Sequence, residues 1–425
     1  MDEDAPPADL TVPFNRAWTG SREHGVLSGQ LAAADPEAWV RLALPLVRAV
    51  ASVPGEILSA SALTAVADGF LLSVPGPGPP WFVQFLHFAE PGDRLGELHL
   101  EVCQASVRKL TESRVSASRY LLIHNSDHRN PAFRQGLETA VSEPVRAGRV
   151  ERAEVWDRQR LLREAFNAMA SHVLASARAG ALSVASVEQA LVGEPLSEVP
   201  LQQSLLTANQ HKLLSEAPMG GPAVVDPAAV IFDEAKENIS LLLGTFGFGK
   251  TTAIARRLRD RSSQVLFVPG GRLTGDIRST KDFVSQCIAL DSLLGDESHL
   301  DRLLLERVAR PTALLLFKDE SLPLVLVLDA LDESAFLCRQ GGLLALFNNL
   351  REVRIPVVLA MRQEFWLSRR LELEESFGML ATKTPDRISR IRAVELLPWQ
   401  DDQILACLSR ARELVTAEEE RQRLP

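Results

Sequence analysis

The sequence predicts an α/β protein: a parallel sheet with helices on both faces, preceded by a smaller α/β module and a helical linker. Three observations predict it. A glycine-rich loop, Gly244-Thr-Phe-Gly-Phe-Gly-Lys-Thr251, separates the apolar run Ile239–Leu243 from a helical stretch over Thr251–Arg261. A second apolar run, Leu322–Leu328, ends in Asp329. Short apolar runs at 239–243, 264–268, 324–328, 356–360 and 392–396 alternate with helical spacing, as strands buried on both faces of a parallel sheet do.

The loop fits the phosphate-binding pattern GxxxxGK[ST], and the chemistry needs those residue types. Glycines let successive backbone N–H groups turn inward around phosphate oxygens with no Cβ in the way. The following helix adds its N-terminal dipole and free amides. Gly244, Thr245, Phe246, Gly247, Phe248, Gly249, Lys250, Thr251 and Thr252 are therefore expected to hold a nucleotide's phosphates. Within them, Lys250 reaches the β- and γ-phosphates, and the Thr251 hydroxyl with Asp329 ligates Mg²⁺. Phe246 and Phe248 are bulky for such a loop, but the backbone does the holding. Asp332 and Glu333 follow where a base polarises a water aimed at the γ-phosphate.

Asp329-Ala-Leu-Asp-Glu333 resembles the acidic motif of NACHT-type STAND NTPases, in which a small residue follows the first aspartate and an acidic pair closes the motif. Val265–Arg272 and Lys281–Val284 resemble that family's second strand and next helix. Ile355–Arg362 is similar to its sensor strand, which implies that Arg362 contacts the γ-phosphate; Met361 stands where the family often has Ser or Thr. Leu397–Ile404 looks like the opening of the family's helical subdomain. The resemblance implies an ASCE-type P-loop NTPase domain over 223–395 and the start of a helical subdomain over 396–425. It further implies ATP and ADP as ligands with Mg²⁺, homo-oligomerisation on activation, and a switch controlling an N-terminal effector in bacterial antiphage defence. The family's winged-helix domain would lie beyond Pro425, so a fragment of a longer protein is expected. ATP is a family expectation too, and no Asn/Thr-Lys-x-Asp guanine-reading motif follows the acidic strand.

Residues 1–25 read as a loose tail, and Asp35 caps a helix with Pro36 at its first position. Ala67–Val74 and Trp81–Phe88 flank a Gly/Pro turn as a hairpin, and Leu98–Val102 reads as a further strand. Ser118–Asn125 is an apolar strand, Ala132–Ala140 a helix, and Arg152–Trp156 a last strand running into a helix at Asp157. That order over 26–165 resembles the restriction-endonuclease-like fold of the Mrr type. Carried over, Asp68 sits at the metal-binding aspartate, Gln84 at the second polar position, and Leu86 where the family has lysine. The resemblance implies a nuclease-like shape with a damaged or absent active site. A plain α/β module, an ATP-gated DNA endonuclease and a non-hydrolysing nucleotide-dependent scaffold stand as alternatives, with nucleic acid a candidate partner of this module. Residues 166–222, rich in Ala, Ser and Leu, read as a helical linker.

Other groups point to no chemistry. His124, Asp127 and His128 fit no common ligand spacing and read as solvated loop residues. Arg256, Arg257, Arg259 and Arg261 complement a helix dipole. The 425 residues are 46% hydrophobic and 24% charged, ordinary for a globular protein. A net charge of −9 gives no whole-molecule attraction to nucleic acid or to an anionic membrane. Cys103, Cys287, Cys338 and Cys407 form no CxxC, which argues against zinc and a disulfide framework and suits a reducing cytosol. No apolar run approaches the roughly 18 residues of a membrane helix, and the MDEDAPPADL start is neither signal nor transit peptide. A soluble cytoplasmic protein with no membrane partner is expected.

Overall fold

Side-chain oxygens start the first two helices: Ser21 accepts from the His24 N–H ahead of α1 (Arg22–Ala33), and Asp35 from the Ala38 N–H ahead of α2 (Pro36–Ala51). The computed structural model describes residues 18–66, 69–76, 78–89, 96–112, 116–126, 130–192, 199–207, 223–235, 239–261, 265–275, 277–289, 293–294, 298–320, 324–380 and 390–414. Trp18, expected within the loose tail of 1–25, is instead fully buried and stacks on Phe166 with centroids 5.0 Å apart, and residues 1–17 lie outside the described ones. The chain forms two α/β units, one of residues 1–173 and 290–315, the other of 174–289 and 316–425.

The first unit continues through β1 (Leu63–Val66), β2 (Gly69–Leu72), β3 (Trp81–Leu86), α3 (Glu97–Glu112), β4 (Ala117–His124), α4 (Pro131–Val141), α5 (Glu143–Arg146), β5 (Val150–Trp156) and the start of α6 (Arg158–Val192). Its mixed sheet has the order β1-β2-β3-β4-β5, antiparallel over the first three strands and parallel from β3 to β5. The expected strand at 98–102 is instead part of α3. Cys103, Val107 and Leu110 of that helix recur at helical spacing and bury against Phe82, Tyr120 and Leu122 of the sheet. Residues 290–315, expected within the nucleotide domain, belong to this unit. Arg48 of α2 is almost fully buried and bonds the Leu58 carbonyl at 2.9 Å and Asp301 at 2.8 Å. A buried guanidinium without its carboxylate is costly, so Asp301 keeps its segment there.

His172, also buried in this unit, accepts from the Gly55 N–H at Nδ1 (3.0 Å), so Nε2 carries the proton and donates to the Ala49 carbonyl (2.8 Å). Burial holds its pKa below the ordinary 6.5, against the opposing pull of the Ala49 carbonyl. The unfolded chain therefore takes up a proton below pH 6.5 that the folded protein refuses, so stability present above that pH is lost as pH falls. We expect the urea midpoint to drop between about pH 7.5 and about pH 5.5, and His172→Gln to flatten that dependence. An unchanged pH slope in the variant would refute this role.

The second unit contains β6 (Val199–Thr207), β7 (Ala223–Val225), α7 (Pro227–Glu234), β8 (Ile239–Gly244), α8 (Lys250–Arg261), β9 (Val265–Pro269), α9 (Thr280–Cys287), the end of α10 (His299–Lys318), β10 (Val325–Asp329), α11 (Gly342–Leu350), β11 (Val357–Arg362), α12 (Gln363–Leu380), β12 (Arg390–Leu396) and α13 (Asp401–Leu414). The strand order is β7-β6-β12-β8-β11-β10-β9. The five strands from β12 to β9 are all parallel, consistent with a Rossmann-like or P-loop-like fold. All five lie within one residue of the expected runs, except that β12 begins two residues early and β11 ends two late. The expected helical linker is only partly helical, since β6 and β7 lie within 166–222 or next to it and pair antiparallel beside β12. Without β6, one side of β12 would leave its main-chain groups unpaired, and that tertiary need overrides local spacing. Among the described residues, no helix is long and apolar enough to cross a membrane.

Candidate functional site

The expected site residues meet at the C-terminal ends of the parallel strands, where ligands of open α/β sheets bind. Register sets the level: Arg362 of β11 lies beside Gly244 of β8, and Asp329 ends β10, on the far side of β11. Phe246, Gly247, Gly249, Lys250, Thr251, Thr252, Asp329, Ala330, Asp332, Glu333 and Arg362 line one cleft of about 250 Å³. That is below the roughly 300–1,000 Å³ of pockets enclosing a whole drug-sized ligand.

The loop explains its two phenylalanines by opposite directions. Phe248 packs against the core that includes Ile254, Leu258 and Phe267, and so ties the loop to the sheet. Phe246 points outward at 72% exposure, with the Arg362 guanidinium 5.0 Å from its ring centroid. Gly247 and Gly249 have φ of +83° and +85°, conformations that side chains resist.

Lys250 turns its Nζ back to the Gly244 and Thr245 carbonyls, at 2.8 and 3.1 Å. Burial pulls its ammonium below the ordinary 10.5, opposed by the carboxylates of Asp332 and Asp329. The Thr251 hydroxyl donates to Asp329 Oδ2 at 2.7 Å, and Asp329 is only 4% exposed. These hard oxygens are the donors that Mg²⁺ prefers, and a divalent cation suits a nearly buried carboxylate. The donor set fits the ion.

The acidic turn separates the two carboxylates that sequence reading grouped as candidate bases. Ala330 adopts a left-handed conformation (φ +54°), which a small residue tolerates and a β-branched one resists. Its carbonyl packs so closely on Gly270 that a Cβ there would lie 2.2 Å away. The turn over Leu331–Glu333 then directs Asp332 to β11, where it accepts from the Arg362 N–H at 3.0 Å and from Nε at 2.7 Å. Both Asp332 oxygens are thereby engaged. Glu333 is exposed on the cleft, which leaves it the carboxylate placed to meet a water.

Sequence reasoning missed Trp399, whose Nε1 donates to the Phe248 carbonyl at 2.9 Å. It assigned Arg362 to the γ-phosphate and did not foresee its pairing with Asp332. Glycine spacing gave no signal for either contact, because both depend on which strands are neighbours.

In the first unit Gln84 is not presented to solvent. At 2% exposure its amide donates to Ser106 Oγ at 2.6 Å and accepts from the Tyr120 hydroxyl at 2.7 Å. Leu86 ends the same strand, and Asp68 lies outside the described residues. His124, expected in solvent, is fully buried with its ring 5.6 Å from Phe88, because β4 runs to that residue. Asp127, His128 and the side chains of Arg256, Arg257, Arg259 and Arg261 lie outside the described residues. No protein-family model matches the chain, and no curated protein matches it.

Proposed function

We propose that the second unit binds ATP with Mg²⁺ and hydrolyses it slowly, as the switch of a NACHT-like STAND NTPase acting on the first unit as its effector. The observation that carries this reading is the 2.7 Å hydrogen bond between Thr251 and Asp329, 78 residues apart in sequence. A GxxxxGK[ST] hydroxyl and a strand-end carboxylate meet there in a cleft lined by the glycine loop, the arrangement that Mg²⁺–triphosphate binding requires. ATP is chosen over other nucleoside triphosphates on the resemblance alone.

In this reading the amides of 245–250 and the start of α8 bind the β- and γ-phosphates. Lys250 leaves its two carbonyls for phosphate oxygens. Thr251 and Asp329 would hold Mg²⁺, which when bound would supply charge neutralisation at the phosphates. Glu333 accepts a proton from the attacking water, while Asp332 orients Arg362 toward the charge that develops on the γ-phosphate. Loss of the γ-phosphate removes the contact that favours one domain arrangement, and homo-oligomerisation accompanies activation of the switch. Among the described residues of the first unit, Gln84 is spent internally, and Leu86 stands where the resemblance expects lysine, which speaks against a DNA-cutting effector.

Calorimetry of the intact chain with Mg²⁺–ATP tests the reading, together with phosphate release and incubation with duplex DNA. We expect binding heat, slow release and uncut DNA. Binding without release would favour the scaffold, cleaved DNA would restore the nuclease, and no heat would remove the proposal.

A further inference from the structure

Trp399 touches the phosphate loop from a segment that no glycine pattern marks. It follows β12, which ends with Leu396 packed on Gly244, so that a Cβ at Gly244 would lie 3.2 Å from the Leu396 Cβ. Two residues after the Leu396–Leu397 step, the Trp399 indole lies over the last glycine of the loop. A Cβ at Gly249 would come within 2.9 Å of its Cζ2, and Nε1 donates to the Phe248 carbonyl at 2.9 Å. Two residues further on, α13 begins.

The Phe248 carbonyl and the Gly249 N–H belong to one planar peptide unit, and no peptide bond among the described residues is cis. In a trans unit the two groups point to opposite sides. Fixing the oxygen on the indole therefore fixes the amide hydrogen on the other side of the peptide, and Gly249 itself lines the cleft. Phe248 supplies the second constraint, because its side chain is packed into the sheet's core. Glycine at φ +85° would otherwise let this peptide flip with little steric resistance.

We infer that Trp399 is a positioning residue for phosphate binding: its N–H holds the 248–249 peptide in the orientation that aims the Gly249 amide at the ligand's phosphate oxygens. This rests on the reading of residues 244–252 as a phosphate cradle. It makes the segment leading into α13 part of that cradle, so the helix and the phosphate site share one hydrogen bond. The ligand moiety concerned is the polyphosphate rather than the nucleobase.

The test compares the intact wild type with Trp399→Phe, which keeps an aromatic ring but removes the N–H, and with Trp399→Ala. Each is titrated with Mg²⁺–ATP and with Mg²⁺–tripolyphosphate, and hydrogen exchange over 245–250 is read in the ligand-free proteins. Losing one hydrogen bond predicts about five- to tenfold weaker binding of both ligands by Trp399→Phe, with faster exchange in the loop and little change in melting temperature. Wild-type affinity in Trp399→Phe, or unchanged loop exchange, overturns the inference. So does weakening confined to ATP, which would place the indole on the base. If the wild type binds neither ligand, the cradle reading itself has failed; faster exchange in Trp399→Phe would then show a pin that is structural only, which also overturns the positioning role.

Discussion

Lys250→Ala is expected to lose Mg²⁺–ATP binding by about two to three orders of magnitude while keeping its fold. Truncating one partner of a desolvated, charge-assisted contact typically costs about 2–5 kcal/mol, or roughly 30- to several-thousand-fold in affinity. The ligand-free structure gives a reason for the fold to survive. Nζ hydrogen-bonds the Gly244 and Thr245 carbonyls, and burial outweighs the nearby Asp332 and Asp329 carboxylates in disfavouring its charged form. Removing it takes away two main-chain contacts and relieves a desolvated cation, so the net effect on stability is small. Titration calorimetry and thermal unfolding of the same samples check both halves. Wild-type affinity in the alanine variant would take the lysine out of the phosphate site and leave an anonymous α/β unit.

Glu333→Gln separates binding from turnover. Loss of a positioned general base typically lowers a rate by about 10²- to 10⁴-fold. The neutral amide keeps the side chain's size at an exposed position, so ATP affinity should stay within about threefold of wild type. Asp332→Asn behaves differently, since Asp332 accepts from both the main chain and the guanidinium of Arg362. Single-turnover phosphate release measures the difference. Release by Glu333→Gln at the wild-type rate would remove Glu333 from the base role and leave the scaffold alternative standing.

The parallel sheet was legible because its strands are buried on both faces. Leu241, Leu242, Leu326, Val327, Val358 and Leu359 are buried to 2% or less, and double-sided burial writes itself into sequence as unbroken apolar runs. The loop was legible because positive-φ glycines and a following lysine form a local pattern. The strand at 199–207 was not legible, since its place is set by the main-chain pairing of β12 rather than by its own spacing. The helix at 97–112 was misread because the stretch 98–102 is too short to show a period, whereas Cys103, Val107 and Leu110 extend it.

By itself the sequence determined that apolar strands alternate with helices, that a glycine loop carries Lys250 and Thr251, and that a carboxylate closes the strand at Asp329. Those are local properties, set by side-chain period and backbone freedom. Only the tertiary structure decided that Asp332 belongs to Arg362, that Glu333 is left facing the cleft, that Gln84 is consumed inside the first unit, and that Trp399 reaches the loop. Each of those depends on strand order and register, which bring together residues whose separation along the chain carries no trace of their contact.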